Sequence, residues 1–243
     1  AKDESLWQSF DLKTIFPRIT HINEEVWARH VDMEKFGLSF EGLKRLDIPK
    51  AIPEILKVAS LKTEGKGITI MSVPSGLSLN IFKDVLSTPS NFSYAHLLEY
   101  NGREELEVIE SETTIQPYQV VITDSHLADE THRSSFTAQN EFLAELGCKM
   151  PDLLSSTLHI GMTYLTLGKR LYSQNEVSYE LKFSACSNTL EGDLPYTFAG
   201  AFIEAEGKLA FGIAALGEGE IEGLPYKFGS AAMINLSDEE ALE

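Results

Sequence analysis

Five side chains that can hold a metal ion or transfer a proton lie within one short stretch, residues 123–132, which reads TDSHLADETH. They are Asp124, His126, Asp129, Glu130 and His132. Carboxylate and imidazole groups are common ligands of divalent metals and common general acids and bases. Aspartate, serine and threonine are also ordinary turn residues, and an acidic loop is stable in water without a metal. We favour this second interpretation, a solvated loop, and keep the metal or acid–base site as the alternative.

Two further chemical groups follow this stretch in the sequence. His159 is the only imidazole or charged side chain in the body of a nearly all-apolar helix predicted over residues 150–168. A helix that is apolar all round is usually buried, so we expect a hydrogen-bonded core histidine here and not a catalytic base. Lys169 and Arg170 come next, and we expect them to form ion pairs with the acidic surface.

Common catalytic motifs are missing from the sequence. It contains no GxSxG nucleophile elbow, no phosphate-binding P-loop and no HExxH zinc motif. In the glycine-rich run GEGEIEG, residues 217–223, glutamates stand where a bound phosphate would lie. We therefore predict no catalytic, metal-ligating or cofactor-binding residue and no cofactor. The sequence favours a non-catalytic protein.

Charge limits the class of partner. The chain has 37 acidic and 20 basic residues, which gives a formal net charge of −17. Such a surface repels phosphate backbones and anionic membranes, so we expect neither a nucleic-acid nor a membrane partner. The two cysteines, Cys148 and Cys186, make no disulfide framework. We expect both to be reduced and buried, as in a cytoplasmic protein.

Apolar periodicity predicts helices through the first two-thirds of the 243-residue chain. They cover residues 22–35, 51–61, 77–88, 133–147 and 150–168, with short strands at 68–73 and 118–123. The strongly acidic block 103–112 is expected to be a solvated surface segment. After Leu171, strand-like segments alternate with glycine-rich turns. We therefore predict an α+β protein in which a helix-rich N-terminal two-thirds packs with a mostly antiparallel C-terminal sheet.

The C-terminal part contains two similar segments, EGDLPYTFAGA from Glu191 and IEGLPYKFGSA from Ile221. Because proline has no backbone donor, Pro195 and Pro225 predict two edge strands. The same segments support a second hypothesis, a small-ligand-binding protein or an enzyme with a pocket between the helices and the C-terminal sheet. The residues that would line this pocket are Tyr196, Phe198, Tyr226 and Phe228. A self-associating structural domain is a third possibility.

The first residues carry a more specific pattern. The segment DESLWQSFDL, residues 3–12, resembles the C-terminal end of the F-box motif, a helical module that often closes with a segment of the form D-x-x-L-W. Asp3, Leu6 and Trp7 occupy the matching positions. The rest of the chain resembles the region that follows the F-box in proteins of some intracellular bacteria. That second likeness is carried by EVWARHVDMEKFGL, GITIMSVPSGLSLN and LHIGMTYLTLGKRLY.

The resemblance implies protein binding without catalysis. In F-box proteins the motif docks on the adaptor subunit of a cullin-RING ubiquitin ligase, the region after it captures a protein substrate, and other subunits transfer ubiquitin. The earlier part of the motif is absent from this sequence, and the contact with the adaptor is expected through that part. The resemblance also implies partner contacts at Leu6 and Trp7, which could instead pack a short N-terminal segment onto the domain. It implies a cytoplasmic location, in the host cell if the protein is a bacterial effector. The expected organisation is the tail of an F-box-like motif (1–12), a single α+β domain for an unidentified substrate (13–236) and a flexible charged tail (237–243).

Overall fold

Six helices and nine strands make up the part of the chain that the structure, a computed structural model, describes. The described residues are 19–44, 48–63, 67–87, 92–96, 103–127, 135–169, 171, 182–190, 196–203, 209–216 and 227–237. The helices are α1 (Glu24–His30), α2 (Ile48–Ser60), α3 (Leu79–Ser87), α4 (Arg103–Ser111), α5 (Phe136–Glu145) and α6 (Leu153–Leu167). The strands are β1 (Ile19–Ile22), β2 (Ile68–Val73), β3 (Phe92–His96), β4 (Tyr118–Thr123), β5 (Lys182–Thr189), β6 (Tyr196–Ile203), β7 (Leu209–Leu216), β8 (Lys227–Gly229) and β9 (Met233–Asn235). The α+β class predicted from the sequence is confirmed.

The first sheet has the strand order β1-β2-β4-β9. β1 runs parallel to β2, whereas the β2–β4 and β4–β9 pairs are antiparallel. The two central strands read ITIMSV and YQVVIT, and all their side chains are buried except that of Tyr118, which is half-buried. A continuous run of branched apolar residues is typical of a strand that is covered on both faces. Both strands begin and end where the sequence predicts them.

The second sheet has the strand order β3-β7-β6-β5-β8. Its three central strands are antiparallel, as predicted, and a parallel strand is added at each edge. The prediction of two edge strands is right for β8 and wrong for β6, which pairs with β5 on one side and β7 on the other.

The first helix begins where its cap residue predicts. Asn23 Oδ1 accepts a hydrogen bond from Val26 N at 3.0 Å, as an N-cap does. The helix ends at His30 and not near residue 35, because Val31 is already extended. A separate turn follows in which Asp32 Oδ1 accepts from Lys35 N at 3.1 Å. The predicted extension of α1 is therefore wrong.

The acidic block is helical. α4 spans Arg103–Ser111, and it buries Leu106 and Glu110 while it exposes Glu104 and Glu105. Glutamate is a good helix former, and it is favoured in the first turn of a helix by the positive end of the macrodipole. Composition hid the helix because acidic side chains outnumber the apolar residues that mark its buried side. The expectation of a solvated surface segment is right for the exposed side of this helix, and the burial of Leu106 and Glu110 limits it to that side.

Helix α6 lies between the two sheets. Asp152 caps its N-terminus by accepting from Ser155 N at 2.7 Å, and Gly168 ends it in the left-handed region at φ 63°. The helix packs on β5, β6 and β7, and ten of its residues are buried, as predicted for this segment. A Cβ on Gly161 would lie 2.7 Å from Cζ of Phe82, so α6 and α3 approach closely there. Each of the two apolar clusters in the interior takes residues from both sheets.

Candidate functional site

The structure describes only the first part of the predicted site at residues 123–132. Asp124 and His126 are both buried, so the interpretation of this part as a solvated loop is wrong. Asp129, Glu130 and His132 lie outside the described residues. The side chain of Asp124 belongs to a polar cluster in the interior.

Three side chains contact the carboxylate of Asp124. Together with Asp124 they form what we name the Asp124 cluster: Thr69, Asp124, His159 and Lys169. Thr69 Oγ1 lies 2.5 Å from Asp124 Oδ1. His159 Nε2 lies 3.0 Å from the same carboxylate oxygen and 3.1 Å from Thr69 Oγ1. Lys169 Nζ lies 3.5 Å from the other oxygen, Oδ2. The carboxylate is thus contacted by an imidazole, a hydroxyl and an ammonium group.

Three elements of the fold bring these residues together. Thr69 is the second residue of β2, and Asp124 follows β4 directly, where its N–H donates to Gly67 O at 3.0 Å and extends the β2–β4 pairing by one bond. His159 comes from the middle of α6, and Lys169 follows the glycine that ends that helix. The cluster therefore ties α6 to the first sheet at the middle and at the end of the helix.

The protonation of the cluster follows from its geometry. Burial by itself raises the pKa of Asp124, but the hydrogen bond and charge of His159, the Thr69 hydroxyl and the Lys169 charge together hold that pKa below its ordinary value of 3.8. The carboxylate is therefore ionised and can only accept. Thr69 donates its hydroxyl proton to it, and the His159 Nε2–H donates to the carboxylate and to the threonine oxygen.

This arrangement is a structural connection. In a hydroxyl–imidazole–carboxylate triad, the histidine faces the nucleophile with one ring nitrogen and the carboxylate with the other. Here Nε2 of His159 faces both groups, and Thr69 gives its proton to Asp124 directly. Thr69 and His159 are also completely buried, so a substrate has no access to them. The prediction of a hydrogen-bonded core histidine is confirmed.

The basic residue after α6 has a different partner from the one expected. Among the residues that the structure describes, Lys169 pairs with the buried Asp124 and not with a surface carboxylate, although its own side chain is 49% exposed. Its predicted partner was wrong because no local pattern relates positions 45 residues apart. Arg170 lies outside the described residues.

Within the described ranges, the acids, histidines and cysteines form no group of three or more that is placed to bind a metal ion. The same ranges contain no helix that is both long and apolar enough to cross a membrane. Both cysteines are buried and unpaired, as predicted. Burial raises the pKa of the Cys148 thiol to about 11 and that of the Cys186 thiol to about 12.

Most of the remaining predicted site residues cannot be placed in a site. Leu6, Trp7 and Tyr226 lie outside the described residues, and only the backbone of Phe228 is described, in β8. Tyr196 stacks on Phe136 with 4.4 Å between ring centroids, and Phe198 is fully buried. These two aromatic side chains pack in or against the core.

Sequence reasoning missed two features with chemical consequences. Thr69 stands in an apolar strand and carries no signal of its polar partners. Val108 and Ile115 are apolar yet exposed, which periodicity alone cannot reveal.

Comparisons of the chain with protein-family models, with curated proteins and with solved structures found no match.

Proposed function

We propose that this chain is a protein-binding, non-catalytic domain that recruits a substrate protein to a cullin-RING ubiquitin ligase. Its F-box-like residues 3–12, with Leu6 and Trp7 as apolar anchors, would belong to the contact with the adaptor subunit of the ligase. The rest of the chain would hold the substrate, and the protein would act in the cytoplasm. As a bacterial effector, it would act in the cytoplasm of the host cell.

One observation carries the non-catalytic part of this proposal. In the described part of the chain, the cluster that combines a histidine, a carboxylate and a hydroxyl is closed to solvent at Thr69 and His159. Its geometry holds a helix to a sheet and leaves no position for a reacting group. A domain whose buried polar chemistry is used for packing is consistent with a role in which other subunits perform the reaction.

The ligase assignment is tested by binding the immobilised full-length protein to a purified adaptor subunit. We expect the wild type to retain the adaptor and the L6A/W7A variant to retain at least about tenfold less, since two buried apolar anchors are lost. The matched control is L167A, which removes an apolar side chain that is exposed elsewhere. Failure of the wild type to retain any adaptor would refute the ligase assignment.

A second candidate function is the binding of a small polar ligand between α6 and the second sheet. Thr157 and Thr163 on α6 and Ser184 on β5 are fully buried, and their hydroxyl groups have no hydrogen-bond partner within the described part of the chain. Buried hydroxyls in native proteins bond to protein, to water or to a ligand. Native mass spectrometry of the purified protein tests this candidate, because a bound ligand adds a discrete mass that disappears on denaturation.

A further inference from the structure

Two apolar side chains project into solvent from α4 and from the segment that joins it to β4. Val108 is 61% exposed and Ile115 is 91% exposed. The same stretch also exposes four carboxylates, those of Glu104, Glu105, Glu107 and Glu112. We name these six residues the α4 surface. Single exposed apolar residues are common, so the local structure and charge must show whether this pair has a use.

The backbone next to Ile115 is fixed. Thr114 N donates to Leu77 O at 2.8 Å, and Thr114 O accepts from Gly76 N at 2.8 Å. The Thr114 hydroxyl donates to Pro74 O at 2.7 Å and accepts from Leu77 N at 3.0 Å. Four bonds therefore hold the residue before Ile115 to the turn after β2. Because the backbone of this chain is already ordered beside Ile115, a partner that covers this side chain would cause little further loss of backbone entropy here. Binding through an exposed apolar side chain is favoured under this condition.

The side chain of Val108 is also presented by an ordered element. The opposite side of α4 is anchored by Leu106, which is buried, and by Ile109, which packs against the same apolar cluster. Ser111 Oγ donates to Val108 O at 2.7 Å near the end of the helix. Val108 is thus exposed because the fold turns it outward, and not because the helix is loosely attached.

Charge selects the partner. Residues 103–112 contain five glutamates and a single basic residue, Arg103, on a chain whose net charge is −17. Glu104 stands four residues before Val108 on α4, a spacing that places side chains near each other on a helix, and Glu112 directly follows the last helical residue, Ser111. A partner that covers Val108 must therefore meet negative charge at its rim. Complementarity requires lysine or arginine around an apolar centre.

We propose that the α4 surface docks a basic amphipathic segment of the substrate protein, whose apolar side chains cover Val108 and Ile115 and whose lysines or arginines face the glutamates. This inference rests on the proposed protein-binding function and names the chemistry of the substrate. A second copy of the chain is a poorer occupant, because two acidic surfaces of this kind repel each other.

The test uses a fluorescent amphipathic peptide of leucine and lysine as the probe, with a leucine–glutamate peptide of the same pattern as its counterpart. Binding to the full chain is measured by anisotropy. We expect I115S to weaken the lysine peptide at least about tenfold, which corresponds to the loss of one buried apolar side chain. L167S is the matched control, since Leu167 is 54% exposed on another helix, and it should bind as the wild type does.

A charge variant tests the rim separately. E104Q/E112Q should weaken the lysine peptide several-fold at low salt, and the difference should shrink at high salt because exposed charges are screened. The control E141Q/E145Q neutralises two exposed glutamates of α5 and should have no effect. All these positions are exposed, so the variants are expected to fold, which circular dichroism verifies.

Four outcomes would overturn the proposal: no binding of the lysine peptide, equal binding of the glutamate peptide, equal binding by I115S, or a wild-type dimer in light scattering that I115S abolishes. The last outcome would assign the surface to a second copy of the chain. Failure of the wild type to retain the adaptor would refute the proposed function and would leave this peptide test unaffected. Conversely, a chain that retains the adaptor but binds no lysine peptide at α4 would keep the proposed function and lose this inference.

Discussion

Replacing Asp124 by asparagine removes a buried charge while it keeps the size and shape of the side chain. Asp124 accepts from Thr69 and His159, and its second oxygen lies 3.5 Å from Lys169 Nζ. Asparagine retains one acceptor oxygen but carries no charge. The His159 imidazole, which is completely buried, then loses its charged hydrogen-bond acceptor.

The size of the effect follows from burial. A hydrogen bond to a charged group contributes about 1.5–3 kcal/mol to stability, and the carboxylate accepts two such bonds, from Thr69 and His159. The retained acceptor of asparagine reduces this figure, and the half-exposed Lys169 amine contributes only ~0–1 kcal/mol because water can replace its partner. We therefore expect D124N to lower the free energy of unfolding by about 2–3 kcal/mol, or Tm by roughly 5–10 °C in a chain of this length.

Urea unfolding followed by far-UV circular dichroism measures the change. T69V, which removes only the hydroxyl, should cost about 1 kcal/mol, and the double variant should cost less than the sum because both act on one network. D84N, at an exposed carboxylate of α3, is the matched control and should be near neutral. If D124N unfolds within about 0.5 kcal/mol of the wild type, the Asp124 cluster does not hold α6 to the first sheet.

The same pair of proteins should differ in its response to acid. The folded state holds the pKa of Asp124 below its ordinary value of 3.8. The contribution of this carboxylate is therefore complete above that ordinary pKa and is lost as the pH falls through the lower pKa of the folded protein. The stability gap between wild type and D124N should narrow as the pH falls below about 4. A gap that does not change down to pH 2 would contradict the assigned charge state.

Two other predictions concern packing and thiol chemistry. G161A should destabilise the protein by about 1–3 kcal/mol, although alanine favours helices, because the new Cβ would lie 2.7 Å from Cζ of Phe82. Adding F82L should recover part of this loss in urea unfolding. If G161A leaves the free energy of unfolding unchanged, α6 and α3 are not this close. Burial raises the pKa of Cys148 to about 11 and that of Cys186 to about 12. Both thiols should therefore react with a thiol reagent at pH 8 roughly 100-fold more slowly in the folded protein than in guanidinium. Rapid labelling of the folded protein would contradict their burial.

The parts of the fold that the sequence predicts well are those with local signals. β2 and β4 are continuous apolar runs between glycine, proline and aspartate, and α6 has a cap aspartate and a terminal glycine. The sequence does not predict helix α4, because the buried side of this helix contains only a few apolar residues, such as Leu106. The order of strands in a sheet depends on pairings between distant segments, so the interior place of β6 had no local signal.

The Asp124 cluster could be predicted only in fragments. The sequence predicts His159 to be buried and hydrogen-bonded because its neighbours in the same helix are nearly all apolar. Its partners lie 35 and 90 residues away in the chain, at Asp124 and Thr69. Asp124 was noticed as a charged residue after a strand, and that local setting is the same for a solvated turn and for a buried ion pair. Only the packing of α6 on the first sheet decides between them.

The place of β9 has a consequence for how the chain folds. This strand lies at the edge of the first sheet beside β4, yet four of the five described strands of the second sheet, β5 to β8, lie between the two in the sequence. Ser237 just after β9 bonds to Gln119 of β4 across 118 residues. Such pairing gives a high contact order, which slows folding. During synthesis the outer edge of β4 stays unpaired until residues 233–235 emerge from the ribosome, and an unpaired strand edge is a template for aggregation. Chaperone supply and growth temperature should therefore affect the yield of folded protein.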